Sequence, residues 1–278
     1  MFGTSRISKG VRDFVNSLWE RYEPYADSHF LKDARNHFLE RFWEMYLAVA
    51  LLNRGFKLHC TGGEGPEFFV EFDGHRVWLE AIAPGPGTGN DKVLESRLGV
   101  VGKVPTEKIL LRFTNALDEK RRKYLQAVEK GIVQPSDQYV LAINSRGIPH
   151  APYGSVLPYF VQAFLPFGHP TIAIDVNTLE VVDSYFQHRD TVTKVSGAPV
   201  STKAFLEPQF AFVSAMLHST VDCANYPVVF GGDFRVLHNP TAQHPLDRLL
   251  FAWCTQLLWR DGELEQIEPN PAINTGAP

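Results

Sequence analysis

Apolar residues at Val11, Phe14, Val15, Leu18, Trp19 and Tyr22 recur with helical spacing, and Pro24 closes that stripe, predicting a first helix over 11–22. From about Ala34 to Asn53, Phe38, Phe42, Met45, Leu47, Val49 and Leu52 make the chain apolar on more than one side. That pattern predicts a longer, deeply packed helix, stopped by Gly55. The period then changes. Phe56 to Cys60 reads as a short strand, and Phe68 to Phe72 and Val77 to Ile82 read as two β-rich runs meeting at Asp73-Gly74, the dipeptide suited to a tight primed turn. Pro84 to Pro105 opens with Pro-Gly-Pro-Gly and predicts a loop long enough to serve as a flap. A helix is predicted from Glu107 to about Lys130, and the apolar run Gln138 to Asn144 predicts a buried strand that pairs with the hairpin.

The second half predicts a short helix at Leu157 to Leu165. Strands are expected at Thr171 to Val176, Glu180 to Tyr185, Gln209 to Leu217, Val228 to Phe230 and Phe234 to Leu237. A closing amphipathic helix is expected over Leu246 to Arg260, with a loose polar tail from Asp261. The fold class expected is α/β in a single domain over 1–278, with a mixed sheet flanked by helices in the first half and a mainly β second half.

Charge narrows the chemistry. Lys+Arg 27 against Asp+Glu 31 leaves a formal charge of −4, so contact with nucleic acid would rest on a local basic patch and not on the overall field. Lys120, Arg121, Arg122 and Lys123 form such a patch on the third helical stretch; they also suit an ordinary solvated face. Three cysteines without paired spacing, Cys60, Cys223 and Cys254, predict reduced thiols in a cytoplasmic protein. Met1 to Arg6 carries no apolar stretch of signal-peptide type, and no run of about 18 apolar residues occurs.

The carboxylates give the sharpest signal. Antiparallel pairing about Asp73-Gly74 brings Glu67 and Glu80 to the same end of the hairpin, where two acidic groups repel unless a proton or cation lies between them. Glu40 and Glu44 share a helix face, which on composition alone is a solvated acidic stripe paired with Arg41 or Arg35. Other chemistry fares worse. Asp233, His238 and His244 fit no standard zinc spacing, and neither Ser201 nor Ser214 sits in a nucleophile elbow.

The order of these pieces, Trp43-Glu44 to Gly55-Phe56, Pro66-Glu67 and Leu79-Glu80-Ala81, resembles the PD-(D/E)xK nuclease superfamily over about residues 34–130, within a core expected over about 34–145. The resemblance implies a restriction-endonuclease-like core. It implies Mg²⁺ or Mn²⁺ held by Glu67 and Glu80, with Glu44 completing the shell or positioning its helix, and nucleic acid as the substrate. The sequence departs from the pattern at Ile82, where the superfamily carries a lysine. Lys120 is the expected replacement, relocated to the following helix. The alternative is a nuclease-fold protein that has lost catalysis and serves as a binding module.

Overall fold

The computed structural model describes residues 9–97, 99–153 and 156–270. Met1 to Arg6 and the last eight residues of the tail lie outside them. Five helices, α1 (Lys9–Tyr22), α2 (Phe30–Ala34), α3 (Phe38–Leu52), α4 (Thr106–Glu129) and α5 (Tyr159–Phe164), flank one large mixed sheet. Its strands are β1 (His59–Cys60), β2 (Phe68–Phe72), β3 (His75–Ile82), β4 (Gln138–Asn144), β9 (Ala215–Ser219), β10 (Arg235–His238), β11 (Thr255–Arg260) and β12 (Glu263–Ile267). They lie in the order β1-β2-β3-β4-β9-β10-β11-β12. Two small ribbons stand apart: β5 (Phe167–Ile174) with β6 (Val181–His188), and β7 (Thr191–Thr193) with β8 (Pro199–Ser201).

The hairpin forms where the turn chemistry puts it. Asp73 and Gly74 take φ 47° and 73°, and Phe68 pairs with Leu79 across it. Beyond the hairpin the sheet turns parallel, with β3, β4 and β9 running side by side, so their C-terminal ends, Ile82, Asn144 and Ser219, share one edge. Strands covered on both faces read as continuous apolar runs, and every residue of β4 is buried. On one face Leu79, Val140, Ala142 and Leu217 pack against α1 and α3, and Trp43 of α3 donates its indole N–H to Ala142 O at 2.9 Å. On the other face Leu141, Ile143, Met216 and Leu237 pack against α4 and α5.

Several elements differ from the sequence expectation. The long helix begins at Phe38, not Ala34, because the chain bends at Arg35 to His37, where Asp33 O accepts the N–H of both Asn36 and His37. The first strand is only His59–Cys60. Gln209 to Leu217 opens as a 3-10 turn at Pro208–Phe210, and the strand starts only at Ala215. Val228 to Phe230 is not a strand: the chain bends there, with Val228 fully exposed and Val229 O accepting the Gly232 N–H of a turn at 2.9 Å. The closing helix over Leu246 to Arg260 is absent. A 3-10 turn, Arg248–Phe251, leads into β11, which lies parallel to β10, and the polar tail supplies β12 as an edge strand. No helix among the described residues is long and apolar enough to cross a membrane.

Candidate active site

Glu80 projects from β3 toward α4, and there it meets Lys120. The ammonium and the carboxylate form an ion pair with both residues nearly sealed from solvent, Lys120 at 5% and Glu80 at 4% exposure. Lys120 therefore does not belong to the solvated basic face. Its neighbours do: Lys123 is exposed and pairs with Glu119 at 3.6 Å, and Arg122 is exposed. Burial alone would lower the Lys120 pKa, but the Glu80 and Glu67 carboxylates outweigh it and hold the ammonium above the usual lysine value.

Glu67 lies opposite, at the mouth of β2, and accepts the N–H of Ala81 through Oε2 at 3.1 Å. Its carboxyl is enclosed. Burial, reinforced by the Glu80 charge and only partly opposed by Lys120, pushes its pKa well above the ordinary carboxylate range. Tyr139 of β4 completes the surround: it is 1% exposed, and its hydroxyl faces the Glu80 side of the pair without a hydrogen-bond partner of good geometry.

Glu44 approaches from α3 and is buried, not part of a solvated stripe. Both of its oxygens are engaged, one by the Tyr22 hydroxyl of α1 and the other by Arg41 Nη1 at 2.7 Å. Arg41 also pairs with Asp33 at 3.0 Å. Burial raises the Glu44 pKa, and the Tyr22 hydrogen bond and Arg41 charge moderate the rise. Glu40, one turn away, stays in solvent against His37.

Glu80 and Tyr139 line a hollow of about 280 Å³; it shares Glu67 with a larger cleft of about 600 Å³ at the C-terminal end of β3, the edge at which open α/β sheets bind ligands. Glu44, Glu67 and Lys120 lie on its walls with Ile82, Arg112 and Arg122. Ile82 adds an apolar side chain to the cleft wall, while Lys120 brings its ammonium to Glu80 from α4. The expected flap is tied down where it meets the cleft: Arg112 Nε donates to Gly85 O at 2.8 Å, Lys108 Nζ to Asn90 O at 2.6 Å, and Val93 is fully buried.

Among the described residues no three His, Cys, Asp or Glu side chains converge as a metal cage. Mg²⁺ does not require one, since it commonly binds one or two carboxylates, keeps several waters and takes its remaining oxygens from substrate phosphate. Half-buried Glu67 and buried Glu80, the latter already paired with Lys120, offer two carboxylates of that kind. Glu44, with both oxygens engaged, suits the positioning role. The Asp233, His238 and His244 set does not assemble: Asp233 accepts from Ser219 and Tyr46, and His238 Nε2 pairs with Gln256.

Sequence reasoning named Arg41 as a partner of the Glu40 and Glu44 face, and the structure pairs it with Glu44; it missed Tyr22, Arg112 and Tyr139. Tyr22 was visible as the last residue of the first apolar stripe. Tyr139 required the β3 to β4 register, which pairs it with Trp78. Comparison with protein-family models, curated proteins and solved structures finds no match for the chain.

Proposed function

We propose that the chain is a metal-dependent phosphodiesterase acting on nucleic acid, built on a restriction-endonuclease-like core. The observation that carries the reading is the ion pair of Lys120 with Glu80 beside Glu67, with Lys120 and Glu67 on the wall of the larger cleft. A lysine absent from its motif position is supplied from the next helix, to the same carboxylate. The local order supports the core assignment: a Glu-bearing helix α3, the β2–β3 hairpin carrying both acids, the crossover α4, and β4 parallel to β3.

Glu67 and Glu80 would hold Mg²⁺ or Mn²⁺, which when bound polarises a phosphoryl oxygen and lowers the pKa of a coordinated water. The protein's own groups do the rest. Lys120, freed in part from Glu80, presents an ammonium where charge accumulates on the phosphate, a contact preorganised in a site with little water. The Ala81 N–H fixes one oxygen of Glu67, leaving the other for the ligand. Arg41 and Tyr22 lock Glu44 and with it the approach of α3 to the sheet. Arg122 and Lys123 stand at the rim to meet neighbouring phosphates, a contribution that weakens with added salt.

The closed Lys120–Glu80 pair also favours a second reading, a binding module in which the ion pair is purely structural. A nuclease assay on single- and double-stranded DNA and RNA with Mn²⁺ separates the two. The enzyme reading expects cleavage, its loss in Glu80→Gln, and a fall of roughly two orders of magnitude in Lys120→Ala. Binding without cleavage of any of the four substrates would leave the module.

A further inference from the structure

A second cleft, of about 350 Å³, opens beside the first, within the size range of small-molecule sites. The two share a wall: Arg112 lines one and Phe113 the other on α4, and the Ser145–Gly147 turn presses so close to Pro84 that a Cβ at Gly147 would lie 2.9 Å from Pro84 O. Into this cleft come polar groups that the fold leaves unengaged. His218 Nε2 is joined to Ser145 Oγ at 2.9 Å, but Nδ1 has no partner among the described residues. The Thr220 and Thr255 hydroxyls and the exposed Arg235 guanidinium have none there either.

Tyr159, Phe160 and Phe234 supply apolar faces to the remaining walls, and the Asp233 carboxylate lines the same cleft. His218 stacks on Phe160 at 4.3 Å, so it presents its ring edge, not its face, to an occupant. That edge is adaptable. If Ser145 donates to Nε2, Nδ1 carries the proton and donates; if Ser145 accepts, Nδ1 is an acceptor. A heterocycle with alternating donors and acceptors along one edge suits such a group better than an alkyl chain or a simple phenyl ring does. Arg235 at the rim has no carboxylate partner among the described residues, and its planar fork matches a phosphate. Asp233, the acid nearest to it along the chain, is already held by Ser219 and Tyr46.

We infer that this second cleft binds a nucleotide unit, its base against the His218 edge and the aromatic walls and its phosphate on Arg235. The ligand is either a free mononucleotide or one unit of a strand whose neighbouring phosphate lies in the first cleft. The inference extends the cleavage reading but is tested apart from it, by calorimetric titration in EDTA, where a protein that cuts nothing can still pass.

The probes are the nucleoside 5′-monophosphates, the matching nucleosides, inorganic phosphate and a short single-stranded oligonucleotide. At least one monophosphate is expected to bind about tenfold more tightly than its nucleoside, the worth of one charge-assisted contact. Arg235→Ala should erase that ratio. His218→Phe, which keeps the stack on Phe160, should weaken monophosphate and nucleoside alike by about tenfold. Competition between oligonucleotide and monophosphate identifies a strand unit; binding of the monophosphate without competition identifies a free nucleotide. Absence of saturable binding at millimolar concentration, or unchanged binding in both variants while their melting curves match wild type, would overturn the inference.

Discussion

Lys120→Met removes an ammonium while keeping most of the side chain's length and apolar stem. What remains is Glu80 at 4% exposure beside Glu67, with the Tyr139 hydroxyl as its nearest potential donor and no compensating cation. Breaking a buried ion pair by deleting one partner costs about 3–5 kcal/mol, because the remaining charge stays buried. For a chain of this length that corresponds to a fall in Tm of roughly 6–20 °C. Removing both charges is different. Glu80→Gln/Lys120→Met leaves no orphan charge, and it should recover to within about 1–2 kcal/mol of wild type. The sign with pH follows from Lys120. Its pKa is held above the usual lysine value, so the pair's stabilisation is complete at neutral pH and is lost only as pH rises through that folded value. A divalent cation should act in the opposite sense to the deletion. At millimolar Mn²⁺ the single variant should gain more Tm than wild type, since the ammonium no longer competes for Glu80. The assay is thermal melting at pH 7, with EDTA and with Mn²⁺. A single variant melting within about 2 °C of wild type, or a double variant as unstable as the single, would refute the argument that this pair is a buried charge balance.

Three further outcomes follow from the same reasoning. Glu67 has a folded pKa well above its unfolded value, so its contribution to stability is greatest below the unfolded value and is lost as pH rises through the folded one; Glu67→Gln should therefore be more stable than wild type at pH 7–8 in urea titration without metal, and equal midpoints there would count against it. His218 is buried neutral with its pKa lowered to about 3, so from about pH 6.5 down toward 3 it should cost stability at about 1.4 kcal/mol per pH unit. His218→Phe should flatten that acid limb, and parallel stability curves for the two proteins would exclude the assignment. Gly231 has φ 74°, and a Cβ there would sit 2.5 Å from the Trp253 ring, so Gly231→Ala should lose about 2–4 kcal/mol by chemical denaturation; a loss under about 0.5 would show that Trp253 yields freely.

What the sequence displayed and what it hid divide along a physical line. The hairpin was legible because Asp73-Gly74 encodes its own turn, and helix α4 because a long amphipathic stripe has no other use. Lys120 stood out from its basic neighbours only by the expectation that the helix after the hairpin brings a cation to Glu80, and the two do pair. The failure at Leu246 to Arg260 has the opposite cause. Leu249, Leu250, Trp253, Leu257 and Leu258 are apolar at helical spacing, yet Leu250 and Trp253 sit in and after a turn, and Leu257 lies in β11, aligned with Leu237 of β10. Long-range pairing outweighed local periodicity there. The second cleft left no trace in the sequence, because Ser145 and His218 are 73 residues apart and join only when β4 and β9 pair.

That pairing also sets a timetable for the newborn chain. β4 acquires its first neighbour, β3, from sequence already made, but its other side waits for β9, about 70 residues further on. At a ribosomal pace of about 5–20 residues per second, the largely apolar β4 spends roughly 4–14 s with one row of N–H and C=O groups unclaimed. An open hydrophobic edge of that kind invites pairing with other chains. Cells making this protein thus face their main aggregation hazard midway through translation, and slowing the ribosome between Ser145 and Ser214 should lower the soluble yield, whereas slowing it after Ser219 should not.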